Sequence, residues 1–183
     1  MQEVCCGEMQ HGHMEQVGYD MYCKLLDEVV KEMKGIVVEE EKDIQIDINV
    51  SSFIPDDFIE SSSQKIEVYQ NIALCRNEED IENVTDEIID RYGSAPKEVE
   101  NLIEIARIKN LAREAGIEKI LQKQENIVFY YEPSRFEMGI VDALIKKYKN
   151  RIKFSPAQEP YITYKILKKN KIIDEVKDFL KTM

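Results

Sequence analysis

Residues 97–131 read KEVENLIEIARIKNLAREAGIEKILQKQENIVFYY, and the period of the apolar residues changes inside this stretch. Up to Ala115, Val99, Leu102, Ile103, Ile105, Ala106, Ile108, Leu111, Ala112 and Ala115 make a broad stripe at helical spacing. That breadth predicts the central core helix of the chain, and Gly116 ends it. Past Gly116 the pattern shortens to two strands, 118–123 and 127–131, joined by a turn at Gln124-Glu125-Asn126.

Immediately before this core helix stands NEEDIENVTDEIIDRYGSAP, residues 77–96. Asn77 is a good N-cap, and Glu78, Glu79 and Asp80 fill the first turn, where the helix dipole favours them. Ile81, Val84, Ile88 and Tyr92 fall on one face; Glu79, Asp80, Asn83, Asp86, Glu87 and Asp90 fall opposite. Gly93 supplies the stop, and Pro96 starts the next helix. Residues 78–90 carry seven acidic side chains and no basic one. Periodicity alone makes this a solvated face; a docking face for a basic partner is the sharper alternative.

Further outward, residues 64–76 predict a helix with Ile66, Tyr69 and Ala73 on one face, flanked by Val68 and Ile72. The loop 51–63 holds apolar anchors around Pro55, Asp56 and Asp57, and its serines can cap the helix that follows. Residues 43–50 alternate without a fault, which predicts a strand with Ile44, Ile46, Ile48 and Val50 on one side and a wet face on the other. Residues 17–34 predict a helix striped by Met21, Leu25, Val29 and Met33. Toward the C-terminus follow a helical unit at 136–149 (Phe136, Ile140, Ala143, Leu144, Tyr148), strands at 151–154 and 161–167, and a closing helix at 171–181 with Ile172, Val176, Phe179 and Leu180 buried. Mixed order with hairpins implies an α+β fold: largely antiparallel short strands packed with about six helices.

The totals limit the function. The 183 residues suffice for one domain of ordinary size or one plus a tail. No apolar run reaches the ~18 residues of a membrane span, and the N-terminus has neither a basic n-region nor an apolar h-region. Adjacent Cys5 and Cys6 with distant Cys23 and Cys75 do not make a disulfide framework, so a reducing compartment, the cytoplasm, is expected. Net charge is −11, unevenly spread: residues 144–183 carry +7 and the rest −18. An acidic body repels nucleic acid. The basic segment, with Lys146, Lys147, Lys149, Arg151, Lys168, Lys169 and Lys171, either binds nucleic acid or is neutralised against that body.

Enzyme signatures are missing. There is no glycine-rich phosphate loop, G-x-S-x-G or HExxH. Both histidines, His11 and His13, lie in the leader, and their spacing with Cys5 and Cys6 does not suit zinc. Asp43 and Asp47 share the wet face of the first strand, where alternation explains them without chemistry. Cys23 and Cys75 lie on or beside apolar helix faces and are expected to be inert core thiols.

The succession VGYDMYCKLLDEVV, IPDDFI, DEIIDRYGSAP and NLIEIARIKNLAREAGI resembles the C-terminal domain of the bacterial transcription-repair coupling factor, well over 17–117 and loosely beyond. The leader segment GEMQHGH, residues 7–13, looks like the end of that family's translocation motif, with Gln10 and Gly12 matching its Gln-x-Gly. The resemblance implies two parts: residues 1–16 as the tail of that motif, and 17–183 as a non-catalytic regulatory domain. It implies a parent protein that is an ATP-driven DNA translocase, with ATP and magnesium in motor domains outside this fragment and no cofactor within it. The parent would engage DNA through its motor, bind stalled RNA polymerase and recruit UvrA. The domain itself would dock on a UvrB-like N-terminal module of the same protein, mask its UvrA-binding surface and restrain the motor. The family's docking contact places acidic residues at Glu87 and Asp90, which, with Asp80 and Asp86, become the expected partner-binding residues.

Overall fold

A computed structural model describes residues 44–156 and 158–183. The expected helix at 17–34, Cys23, Asp43 and the leader with Gln10 and Gly12 lie outside the described residues. Among the described residues the order is β1 (Gln45–Asp47), α1 (Ser62–Leu74), α2 (Glu78–Tyr92), α3 (Lys97–Glu114), β2 (Ile117–Lys123), β3 (Asn126–Tyr131), α4 (Met138–Tyr148), β4 (Ile152–Ser155), β5 (Tyr161–Lys165) and α5 (Ile172–Leu180). The five strands form one sheet in the order β1-β2-β3-β5-β4. Among the described residues only the β1–β2 pair is parallel. The fold is the expected α+β, with five α-helices among the described residues.

Helix α3 organises the packing because it buries apolar residues toward two different cores. Val99, Leu102, Ile103 and Ala106 pack with Ile54, Ile59, Val68, Ile72, Ile81 and Ile88 of the loop, α1 and α2, forming a helical lobe. Ile105, Ile108 and Ala112 pack instead with Ile120, Phe129, Ile162, Leu144 and Phe179, forming a sheet lobe. The two cores thus share one rod. Its end is set by Gly116, whose φ of +68° suits glycine and whose Cα approaches the Arg135 side chain so closely that a Cβ would lie 2.9 Å from Arg135 Cδ.

Local chemistry explains most boundaries. The β2–β3 hairpin turns at Gln124 and Glu125, with Gln124 at φ +57°. In the loop before α1, Phe58 and Ile59 N–H groups both donate to Pro55 O at 3.2 Å, and Asp56 pairs with Lys65. Ser61 is the N-cap residue of α1, but its hydroxyl lies 2.9 Å from that of Ser63 and makes no cap bond to the backbone. Cys75 is buried; its thiol donates to Asn71 O at 3.3 Å, and burial with the nearby Asp80 charge pushes it up to about 11, an inert thiol.

Several expectations shift. The buried centre of α1 is Val68 and Ile72, whereas Ile66 is 39% exposed. A short helix read by itself does not show which stripe meets its neighbours. Ala143 of α4 is exposed, although Leu144 and Tyr148 are buried as expected. Among the described residues strand β1 keeps three ladder residues, Gln45, Ile46 and Asp47; beyond them the Asn49 N–H donates to the Gln122 side chain at 2.7 Å instead of to the β2 backbone. All four apolar residues expected in the core from α5 are buried.

Candidate functional site

Helix α2 is built as a rigid support. Asn77 Oδ1 accepts the Asp80 N–H at 2.9 Å, closing the N-cap, and Gly93, at φ +87°, donates its N–H to Ile89 O at 2.9 Å. Pro96 caps α3 and accepts from Val99 and Glu100 N–H at 3.0 Å. Ile81 and Ile88 anchor the inner face of α2.

The acidic side chains divide into three groups. On the flank toward α1, Glu87 accepts from Arg91 at 2.9 Å, and Arg91 also donates to Glu67 at 3.1 Å. These hydrogen bonds push the Arg91 guanidinium above its ordinary value. Asp80 turns to the same flank and accepts the Arg76 N–H at 2.8 Å. On the flank toward α3, Glu78 accepts from Arg107 at 2.6 Å. Arg107 then meets Glu104 at 2.5 Å, and Glu104 pairs with Lys177 of α5. Burial acts to raise the Glu104 pKa, but hydrogen bonds and charge from Lys177 and Arg107 hold it below the usual carboxylate range.

The third group faces outward. At about 100° per residue, Glu79, Glu82 and Asp90 lie within about 40° of Asp86 around the helix. All four are exposed and make no ion pair among the described residues. Ile89, 46% exposed, borders this acidic line. Of the four expected partner-binding residues, Asp86 and Asp90 therefore stand on the open line, while Glu87 and Asp80 are engaged within the chain. Glu79, on the outer face expected from the sequence, and Glu82, which that face omits, complete the line; a helical wheel centred on Asp86 holds both. Ile89 has no polar signal that would have marked it.

The other candidates lie apart. Asp47 sits on the sheet opposite Leu121, away from any carboxylate in its row. Among the described residues three basic residues of the C-terminal segment are committed: Lys147 pairs with Asp178 at 2.8 Å, Arg151 with Glu175 at 2.6 Å, and Lys177 with Glu104. Glu175 also accepts from Tyr164 at 2.7 Å and from the N–H groups of Leu167 and Lys168, which fastens the β5–α5 connection. A cleft of about 580 Å³ separates the lobes beside the Glu104–Arg107 pair. Its charged lining is largely self-paired, including Lys97 with Glu100 at 3.0 Å. No group of three or more His, Cys, Asp or Glu arranged for a metal occurs among the described residues. No helix among them is long and apolar enough to cross a membrane.

Comparison with known proteins agrees with this architecture. The TRCF domain family model matches residues 48–140, from the exit of β1 into the start of α4. The chain is 37% identical over 133 residues to a transcription-repair-coupling factor of Staphylococcus epidermidis, covering 72% of this chain and 11% of that protein. It is 32% identical over 179 residues to one of Rickettsia prowazekii, covering 97% of this chain and 16% of that protein. The chain thus spans a small part of the length of these relatives. A crystal structure of the C-terminal domain of a transcription-repair coupling factor superposes with TM-score 0.69 at 19% identity, over 76% of this chain and 91% of that one. Helices, hairpin and matched residues together place the chain in one family: it belongs to the TRCF domain family of transcription-repair coupling factors.

Proposed function

We propose that this domain is a non-catalytic regulatory module that works as an intramolecular lock. Its acidic α2 line docks on a basic surface of the UvrB-like N-terminal module of the same protein. Docking masks the surface that takes UvrA and restrains an ATP- and magnesium-dependent motor acting on DNA; engagement of RNA polymerase releases it. The observation that carries this reading is the division of the acids on α2. Those on the flanks are paired within the fold, and Glu79, Glu82, Asp86 and Asp90 have no ion pair among the described residues.

The energetics suit a lock that opens. Exposed charge pairs are worth about 0–1 kcal/mol each, so several acting together hold a tethered partner without trapping it. Because Glu87 is shared with Arg91, an incoming arginine must compete for it, and Asp86 and Asp90 carry the contact. Calorimetric titration with the isolated N-terminal module at low and high salt tests this. Salt-sensitive binding that Asp86→Lys with Asp90→Lys abolishes is the expected result. Unchanged affinity in that variant, with its helical circular dichroism intact, would remove α2 as the contact.

A further inference from the structure

The two sides of the sheet are chemically unlike. Directly opposed residues on neighbouring strands point to the same side. Ile46, Ile120, Phe129, Ile162 and Phe154 therefore share the side packed by α3, α4 and α5. The opposite side carries no helix among the described residues. One row there crosses all five strands as Gln45, Lys119, Tyr130, Tyr161 and Ser155. The next runs Asp47, Leu121, Val128, Thr163 and Lys153, and a third sets Lys123 and Lys165 on either side of Asn126.

On a chain of net charge −11, these rows hold four lysines against one aspartate. None of the four lysines has an ion pair among the described residues. Tyr130 and Tyr161 sit side by side on the central strands β3 and β5, both half-exposed, with ring centroids 5.4 Å apart. The Lys119 ammonium lies 5.1 Å from the Tyr130 ring centroid. Val128, buried but outside both lobe cores, and half-buried Leu121 form an apolar floor beside them. The acidic line is on α2, which packs on α1 and α3 rather than on the sheet.

We propose that this open sheet face binds single-stranded DNA. Tyr130 and Tyr161 stack two bases, and Lys119, Lys123, Lys153 and Lys165 hold the phosphates. Aromatic residues on a sheet with cations around them supply the two terms of single-strand binding, base stacking and phosphate neutralisation. A duplex keeps its bases stacked inside and cannot reach the tyrosines. Among the described residues the face offers no buried polar side chain for a 2′-hydroxyl, so nothing rewards RNA over DNA. A second copy of the chain would set lysines against lysines, a like-charge contact that opposes pairing.

The test is fluorescence anisotropy of a labelled oligo(dT) of about 12 nucleotides, within the usual site size, titrated with the full chain at rising salt. Saturable binding is expected. Tyr130→Ala and Tyr161→Ala each weaken it by about fivefold or more, while the phenylalanine variants retain it. Lys153→Gln with Lys165→Gln, both exposed positions that leave folding intact, flattens the logarithmic salt slope by about 0.7 per lysine. Lys146→Gln with Lys149→Gln, on and just after α4, leaves binding unchanged. Any of several results would overturn the proposal: no binding at low salt, loss in the α4 variant with the tyrosine variants unaffected, equal affinity for duplex DNA or polyglutamate, or a dimer that the alanine variants dissolve. Binding of oligo(U) RNA about tenfold tighter than oligo(dT) would overturn the assignment to DNA.

Discussion

The helical lobe and the sheet lobe share α3 but handle their surfaces in opposite ways. In the helical lobe, α1 and α2 close over Val99 and Leu102, and the surface charge left outside is acidic and partly self-paired. In the sheet lobe every α-helix among the described residues lies on one side, so the other side shows a mostly basic face with two tyrosines. An antiparallel sheet satisfies its backbone within the ladder and leaves one face wet without penalty. A helix must bury its apolar stripe, so its free side is the polar remainder. One fold thereby presents two surfaces of opposite sign, suited to different partners.

The largest expected effects test whether the lobes are one cooperative unit. Phe179→Ala opens the aromatic cluster of the sheet lobe, where Phe179 stacks on Phe129 at 4.2 Å between centroids. It should cost about 3–5 kcal/mol. Leu102→Ala empties the helical lobe and should cost about 2–5 kcal/mol. Because both cores are built on α3, both variants should lower a single thermal transition seen by near- and far-UV circular dichroism. Two separated transitions in either variant would mean that the rod does not couple the lobes.

The two lobes also differ in what acid removes from them. Glu104 joins the lobes through Arg107 and Lys177, while Glu175 and Asp178 brace the sheet lobe alone. Lys147 holds Asp178 below its ordinary value, and Tyr164, backbone N–H groups and Arg151 outweigh burial at Glu175. Folded values below the unfolded ones, about 4.3 for Glu and 3.9 for Asp, mean that the unfolded chain binds more protons in acid. The stabilisation is therefore present at neutral pH and lost as pH falls below about 4. Urea unfolding across pH 3–7 should show this fall, and Glu104→Gln should flatten it after a loss of about 1–2 kcal/mol at pH 7.

Smaller still is Asn77→Ala, which removes the cap of α2 and should cost about 1 kcal/mol in urea unfolding. Smallest is Asp86→Lys with Asp90→Lys. These exposed positions should change stability by about 0.5 kcal/mol or less, so any binding defect in that variant reports the surface rather than the fold.

Much of this was legible locally. The cap at Asn77, the stops at Gly93 and Gly116, the hairpin after α3 and the buried stripe of α5 each depend on residues a few positions apart, whose preferences act before any packing. The stripe through Ile66, Tyr69 and Ala73 is not the buried centre of α1 because neighbouring stripes on a short helix are nearly equivalent until α2 and α3 choose one. The site was half legible. Seven acids on one helix announce a charged face, and the Arg91–Glu87 pair follows from i,i+4 spacing, but the engagement of Glu78 depends on Arg107, and the second partner of Arg91 is Glu67, both reached across the fold where no local period encodes them.

Element types, the central role of α3 and the acidic character of α2 follow from the residues alone, because hydrophobic period and capping are local properties. Tertiary structure alone decided that two cores share α3, and that Lys119, Tyr130, Lys153 and Tyr161 meet on one face. Those four residues come from four strands, and only the ladder register, set by long-range pairing, puts them side by side.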